Sequence, residues 1–233
     1  MTSPIAVYGC IFERVSGLSL QRVIESGIAL VADEGLEALA LRGVASRIGV
    51  TPMALYRYVD DAAALRELVV DQLVARLPAV ETAGDPYERY RAWAHETRSV
   101  LARYPGLGRH LVLHWFETPT MLETVESLLV VAEELGFSGF AQVAAANAVL
   151  SFVLMRVELE ETLRVGNALR RELDAMRGRS RALPQLTAQI GEYRRARIDE
   201  HFTFGVELLL GGLAQRASEA RQARSGGGAR AHP

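Results

Sequence analysis

The chain has 233 residues, with 26 basic and 28 acidic side chains, a formal charge of −2 and 49% hydrophobic residues. That length can bury a core and fill one large domain or two small ones, and the balance is ordinary for a soluble globular protein. One cysteine, Cys10, excludes an internal disulfide framework, no apolar run approaches the eighteen or so residues of a membrane helix, and the N-terminus lacks the basic region of a signal peptide.

Apolar residues recur at spacings of three and four almost throughout, with no convincing alternation, so the chain reads as all-α. Ser19 is placed to cap a first helix that carries Leu20, Val23, Ile24, Gly27, Ile28 and Val31 on one face and stops at Gly35. Leu36 and Leu39 bridge to residues 41–59, which read as helix, tight turn, helix. Val44, Ala45 and Ile48 make one apolar face, and Ala45 is small enough for a second helix to cross closely. Gly49 can take the positive φ that a sharp turn needs. Thr51 offers an N-cap hydroxyl, and Pro52 fits the first helical position, where its missing N–H costs nothing. Leu55 and Val59 point inward, while Met53, Ala54, Tyr56, Arg57 and Tyr58 face outward or lie on the rim. This is the spacing of a helix-turn-helix, and the second helix suits a DNA major groove.

Asp60 or Asp61 caps a fourth, connecting helix with Leu65, Leu68, Val69, Leu73 and Leu77 inside, ending before Pro78. A linker, residues 83–86, opens the second part. A helix from Pro86 to about Tyr104 is expected to bury Tyr90, Trp93, Ala94, Thr97, Val100 and Leu101. A short helix then carries His110, Leu111, His114 and Trp115. Others run from about Thr120 to Leu135, from Ser138 to Val165 and from Tyr193 to Arg216. Residues 170–181 read as an exposed connection and residues 225–233 as a disordered, glycine-rich tail.

Residues 20–24, 29–31, 34–36, 41–45, 48–50 and 55–59 together resemble the N-terminal domain of the tetracycline-repressor family, over about residues 18–78. The stretch Phe202 to Leu213 is similar to the last helix of many members, and Tyr104-Pro105 after a Trp-bearing helix is a familiar landmark. The resemblance implies an N-terminal three-helix helix-turn-helix domain at 18–78, joined by the linker helix to a helical-bundle ligand-binding and dimerisation domain at 84–218. It implies a transcriptional regulator, by family habit a repressor, released from its operator by a small molecule. Its partners would be double-stranded DNA at a pseudo-palindromic operator, a second copy of itself and an effector of unknown identity. No membrane, cofactor or metal is implied, and the compartment is cytoplasmic.

By that resemblance Arg42 matches a position that reaches a base edge, where arginine suits guanine O6 and N7. Thr51, Met53 and Ala54 would approach bases, and Tyr56 and Tyr58 would donate hydroxyls to phosphates. Arg57 could do either. Many members carry Lys where this chain has Ala62, which follows Asp60 and Asp61. Residues 1–60 hold five Arg against six acids, so the head is slightly acidic overall.

Two apolar sides on each of the last two long helices imply a partner copy, with Phe152, Leu159, Phe204, Leu208 and Gly211 at the contact. Asn147 and Ser151, one turn apart on an apolar face, would need partners if buried, and a ligand is one such partner. With Trp93, His114, Trp115 and Met155 they form the expected pocket. His110, His114 and Glu117 supply too few ligands for a metal, and no catalytic constellation is visible, so no enzyme is expected. The alternative is a helical homodimeric ligand- or protein-binding module with a weakened DNA-binding head.

Overall fold

The computed structural model describes residues 18–114, 118–164 and 198–227, with isolated positions 175, 185 and 189. Among the described residues every regular element is helical. The chain divides into two compact units, Met1–Ala75 and Arg76–Pro233.

In the first unit, α1 spans Leu20–Glu34, and the Ser19 hydroxyl accepts from the Arg22 N–H at 3.2 Å, as its position in the sequence predicts. Gly35 ends the helix at φ 86°. A short 3₁₀ turn, Leu36–Ala38, leads to α2, Leu41–Ile48. Gly49 follows in the left-handed region, φ 81° and ψ 33°. Its N–H reaches the carbonyls of Ala45 and Ser46, satisfying the end of α2 while the chain reverses. Then come α3, Pro52–Leu55, and α4, Ala62–Val74. Asp61 caps α4 by accepting from the Ala64 N–H at 2.8 Å. This helix stops before the expected end at Leu77.

Val23, Leu36, Val44, Leu55, Leu65, Val69 and Leu73 are fully enclosed and form the core of this unit. Each contributes about 1.5–3 kcal/mol through burial. Two helix contacts depend on a missing side chain. A Cβ on Gly27 of α1 would lie 2.6 Å from Val69 Cγ2 of α4, and one on Gly43 of α2 would lie 2.9 Å from Leu30 Cδ2 of α1.

The second unit contains α5, Pro86–Leu101, α6, Leu107–His114, α7, Pro119–Glu134, α8, Phe140–Arg164, and α9, Ile198–Gly227. Asp85 caps α5 by accepting from the N–H groups of Tyr87 and Glu88 at 3.0 Å, with Pro86 at the first helical position. The last helix takes in residues 225–227, the first part of the expected tail; residues 228–233 lie outside the described residues, as do nearly all of 165–197. The stretch Phe140–Thr162 of α8 is long and apolar enough to cross a membrane by length and composition, contrary to the expectation from uninterrupted runs. It packs against α5, α6, α7 and α9 instead, which is why it is apolar on more than one side.

Candidate nucleic-acid interface and effector site

The reading surface is built by the α2–turn–α3 unit. Val44, Ala45, Leu55 and Val59 are buried between the two helices and α1, which fixes their crossing. Arg42, Thr51, Met53, Tyr56 and Arg57 are exposed on the other side and Ala54 partly so; Met53 is 74% accessible, unusual for a large apolar side chain without a partner. Arg42 and Arg57 make no hydrogen bond or ion pair among the described residues, so both cations are free to meet an anion or a base edge. Arg47 is engaged: it pairs with Asp33, and a second nitrogen lies 3.6 Å from Glu34. Two of the acids that made the head acidic are thus matched internally, and Asp61 is occupied as a cap.

Two expectations change. The Tyr58 hydroxyl donates to the Leu18 carbonyl at 2.9 Å. A phosphate oxygen only accepts, so the single phenolic proton of Tyr58 is already committed to holding the start of α1, and Tyr58 is a structural tie. The Thr51 side chain makes no cap hydrogen bond; its backbone carbonyl instead accepts from the Ala54 N–H at 3.0 Å. Thr51 is exposed, so its hydroxyl stays accessible.

In the second unit the expected pocket residues do not converge. Trp93 is enclosed on α5, and half-buried His114 stacks on His110 with ring centroids 4.8 Å apart. Trp115 lies outside the described residues. Asn147, Ser151 and Met155 are exposed, on one stripe of α8 with Leu159, and do not line an interior beside Trp93. The inward phase of α8 is Ala146, Val149, Leu150, Val153, Leu154 and Val157. Phe152 also departs from expectation, because its ring packs within the chain, 5.6 Å from the Phe202 ring and against Gly205, where a Cβ would collide with it. Leu159, Phe204, Leu208 and Gly211 are exposed; Phe204 and Leu208 are 66% and 62% accessible, and the space beside Gly211 is open.

A set of charged residues that no local pattern marks joins α5, α8 and α9. Arg98 donates to Glu160 at 2.9 Å and to Asp199 at 2.6 Å, and Arg156 lies 3.3 Å from the other Glu160 oxygen. The Arg98 guanidinium sits 4.8 Å above the Phe202 ring, which His95 meets edge-on at 5.2 Å. Arg91 grips Glu207 with two hydrogen bonds, 2.6 and 2.8 Å, which hold that carboxyl below its usual range. Burial, and next the Arg98 charge, push the His95 imidazole below its usual value. Of its members Glu160 leaves a trace in the sequence, as a charge in helical phase with Val149, Val153 and Val157. A groove of about 390 Å³ lies along α5, lined by Arg76, Pro78, His95, Glu96, Ser99 and Val100.

Comparison with known proteins matches residues 77–217 to the family model described as the tetracyclin repressor-like C-terminal domain. The chain is 28% identical to the HTH-type transcriptional repressor DrrR1 of Streptomyces coeruleorubidus over 219 residues, covering 87% of this chain and 81% of that protein. Two solved structures share the fold. ActR of Streptomyces coelicolor in complex with actinorhodin has a TM-score of 0.72 at 20% identity, over 88% of this chain and all of that one. BioQ, known from Mycobacterium smegmatis, bound to its double-stranded DNA operator has a TM-score of 0.61 at 22% identity, over 85% and 99% of the two chains. The family model spans more than half of the sequence, and the chain belongs to the tetracycline-repressor family of transcriptional regulators.

Proposed function

We propose that the protein is a ligand-responsive repressor that binds a pseudo-palindromic operator as a homodimer and leaves it when a small molecule occupies the second unit. The observation that carries this reading is the bare outer face of α2 and α3. Exposed Arg42, Thr51, Met53, Tyr56 and Arg57 have no structural work in the head, and their chemistry suits a major groove. Arg42 reads a base edge, Met53 and Ala54 meet thymine methyls, and Tyr56 and Arg57 hold phosphates. DNA binding by BioQ and ligand binding by ActR, proteins of the same fold, support both halves of the reading.

The exposed faces of α8 and α9, with Leu159, Met155, Phe204, Leu208 and Gly211, supply the contact between copies. A twofold axis then sets the two reading heads about one helical turn of DNA, or a multiple, apart. The effector works by population shift, binding more tightly to the dimer whose heads no longer fit successive grooves. The protein acts in the cytoplasm and performs no chemistry on its ligand.

Fluorescence anisotropy of the full chain on DNA flanking its own coding region, against a scrambled duplex and across a salt series, tests the reading. Saturable binding to a palindrome that weakens with salt is expected. Equal, weak binding to every duplex, including a genome-wide fragment selection, defeats it.

A further inference from the structure

Six of the large apolar side chains that stand in solvent lie on α8 and α9: Phe140, Val143, Met155 and Leu159 on the first helix, Phe204 and Leu208 on the second. They share one face. Arg98 joins Glu160 of α8 to Asp199 of α9, and Phe152 of α8 packs on Phe202 and against Gly205 of α9, so the two helices run antiparallel. Successive residues turn about 100° around a helix. Ser151 and Met155 therefore stand to one side of the Phe152 contact, and Phe204 and Leu208 to one side of Gly205. In antiparallel helices these are the same side.

The face is apolar at its ends and polar in its middle. Asn147 and Ser151, both exposed and one turn apart, bracket the midpoint between Phe140 and Leu159. Neither is charged, and an amide or a hydroxyl both donates and accepts, so each can pair with an identical group. The stretch Phe140–Thr162 has the hydropathy of a membrane helix, yet well under half of its most apolar part is buried within the chain. Such a face calls for a cover. Lipid would leave the amide and the hydroxyl without partners. A second copy brings the same polar pair, and Phe204, Leu208 and Gly211 beside it have no side-chain group that can serve instead. Within this face the two polar pairs are satisfied when they meet each other, which a twofold contact achieves if its axis passes beside them.

We propose that Asn147 and Ser151 meet their own copies at the twofold axis of the homodimer, where they fix the register of the interface and restrict it to like chains. A wholly apolar surface offered by another protein would bury both groups unpaired, so the pair selects against it at some cost in affinity. This rests on the homodimer in the reading above and adds where its axis lies and what chooses the partner.

The test uses the full chain in two charged forms, Asn147→Asp and Asn147→Lys, each alone and mixed in equal amounts. Residue 147 is exposed in the single chain, so both forms should keep the native helix content by circular dichroism. Sedimentation equilibrium should show each form alone dimerising at least about tenfold more weakly than the native chain, because like charges face each other. The mixture should recover to within about threefold of native, and native mass spectrometry should find it almost wholly heterodimeric. Two weak forms whose mixture stays weak would put residue 147 in the interface but away from its copy, and overturn the proposal. Unchanged dimerisation of both forms overturns it too, by placing the face outside the interface. In either case a dimeric native chain leaves the homodimer standing and removes only the axis. A native chain that stays monomeric and floats with phosphatidylcholine vesicles gives the face to lipid, and removes the homodimer along with the proposal.

Discussion

The two units use arginine in opposite ways. In the head, Arg42 and Arg57 stand exposed with no partner among the described residues, while Arg47 is tied to Asp33 and Glu34. In the second unit Arg89, Arg91, Arg98 and Arg156 are all locked to carboxylates, and Arg98 and Glu160 are largely withdrawn from water. A guanidinium matches a carboxylate and a phosphate equally well, so what separates a structural arginine from a recognition arginine is the presence of an internal acid within reach. The net charge of −2 hides this division.

The largest effect should come from the locked side. Glu160→Ala leaves Arg98 and Arg156 without their shared carboxylate and should lower stability by about 3 kcal/mol, the low end for a broken buried pair because Asp199 still holds Arg98. Scanning calorimetry should register a fall of about 6–12 °C; a fall under about 2 °C would mean that the pair is no better than a surface contact. Next comes the free side. Arg42→Ala should weaken operator binding by about 5–150-fold, the range for one specific base contact, with melting unchanged. An unaltered affinity would reassign Arg42 to solvent.

A smaller contrast separates two tyrosines. Tyr58→Phe should cost about 1 kcal/mol of head stability, by loss of the bond to Leu18, and leave operator affinity intact. Tyr56→Phe should do the reverse; exchanged outcomes would restore Tyr58 to the interface. The smallest effect is on pH. His95 titrates lower in the fold than in the unfolded chain, because burial and Arg98 disfavour its charged form. The unfolded chain therefore takes up the proton first. Stability is full above the usual imidazole value of about 6.5 and declines as pH falls towards the depressed folded value. His95→Gln should flatten that decline in a pH series of melting curves.

Local chemistry was well written in the sequence. Ser19 and Asp61 cap the helices they precede, Pro52 and Pro86 begin theirs, and Gly49 takes the left-handed turn. Each of these depends on residues within a turn of one another. What misled was the face of a helix apolar on several sides. Periodicity finds the stripes of α8 but does not say which one turns inward, so it does not show that Asn147, Ser151 and Met155 face solvent or that Phe152 packs on Phe202. The Tyr58 bond joins positions 40 residues apart and leaves no trace in local pattern. The division of the arginines is equally distant, since Arg98 meets acids on two other helices.

Gly27 and Gly43 give the head a mechanical property. Each removes a side chain where two helices touch, α1 against α4 and α2 against α1, so that Val69 and Leu30 fill the gaps at van der Waals range. An alanine at either position would force Val69 or Leu30 to move, so the spacing of these helix pairs, and with it the placing of the reading surface, rests on two absent methyl groups.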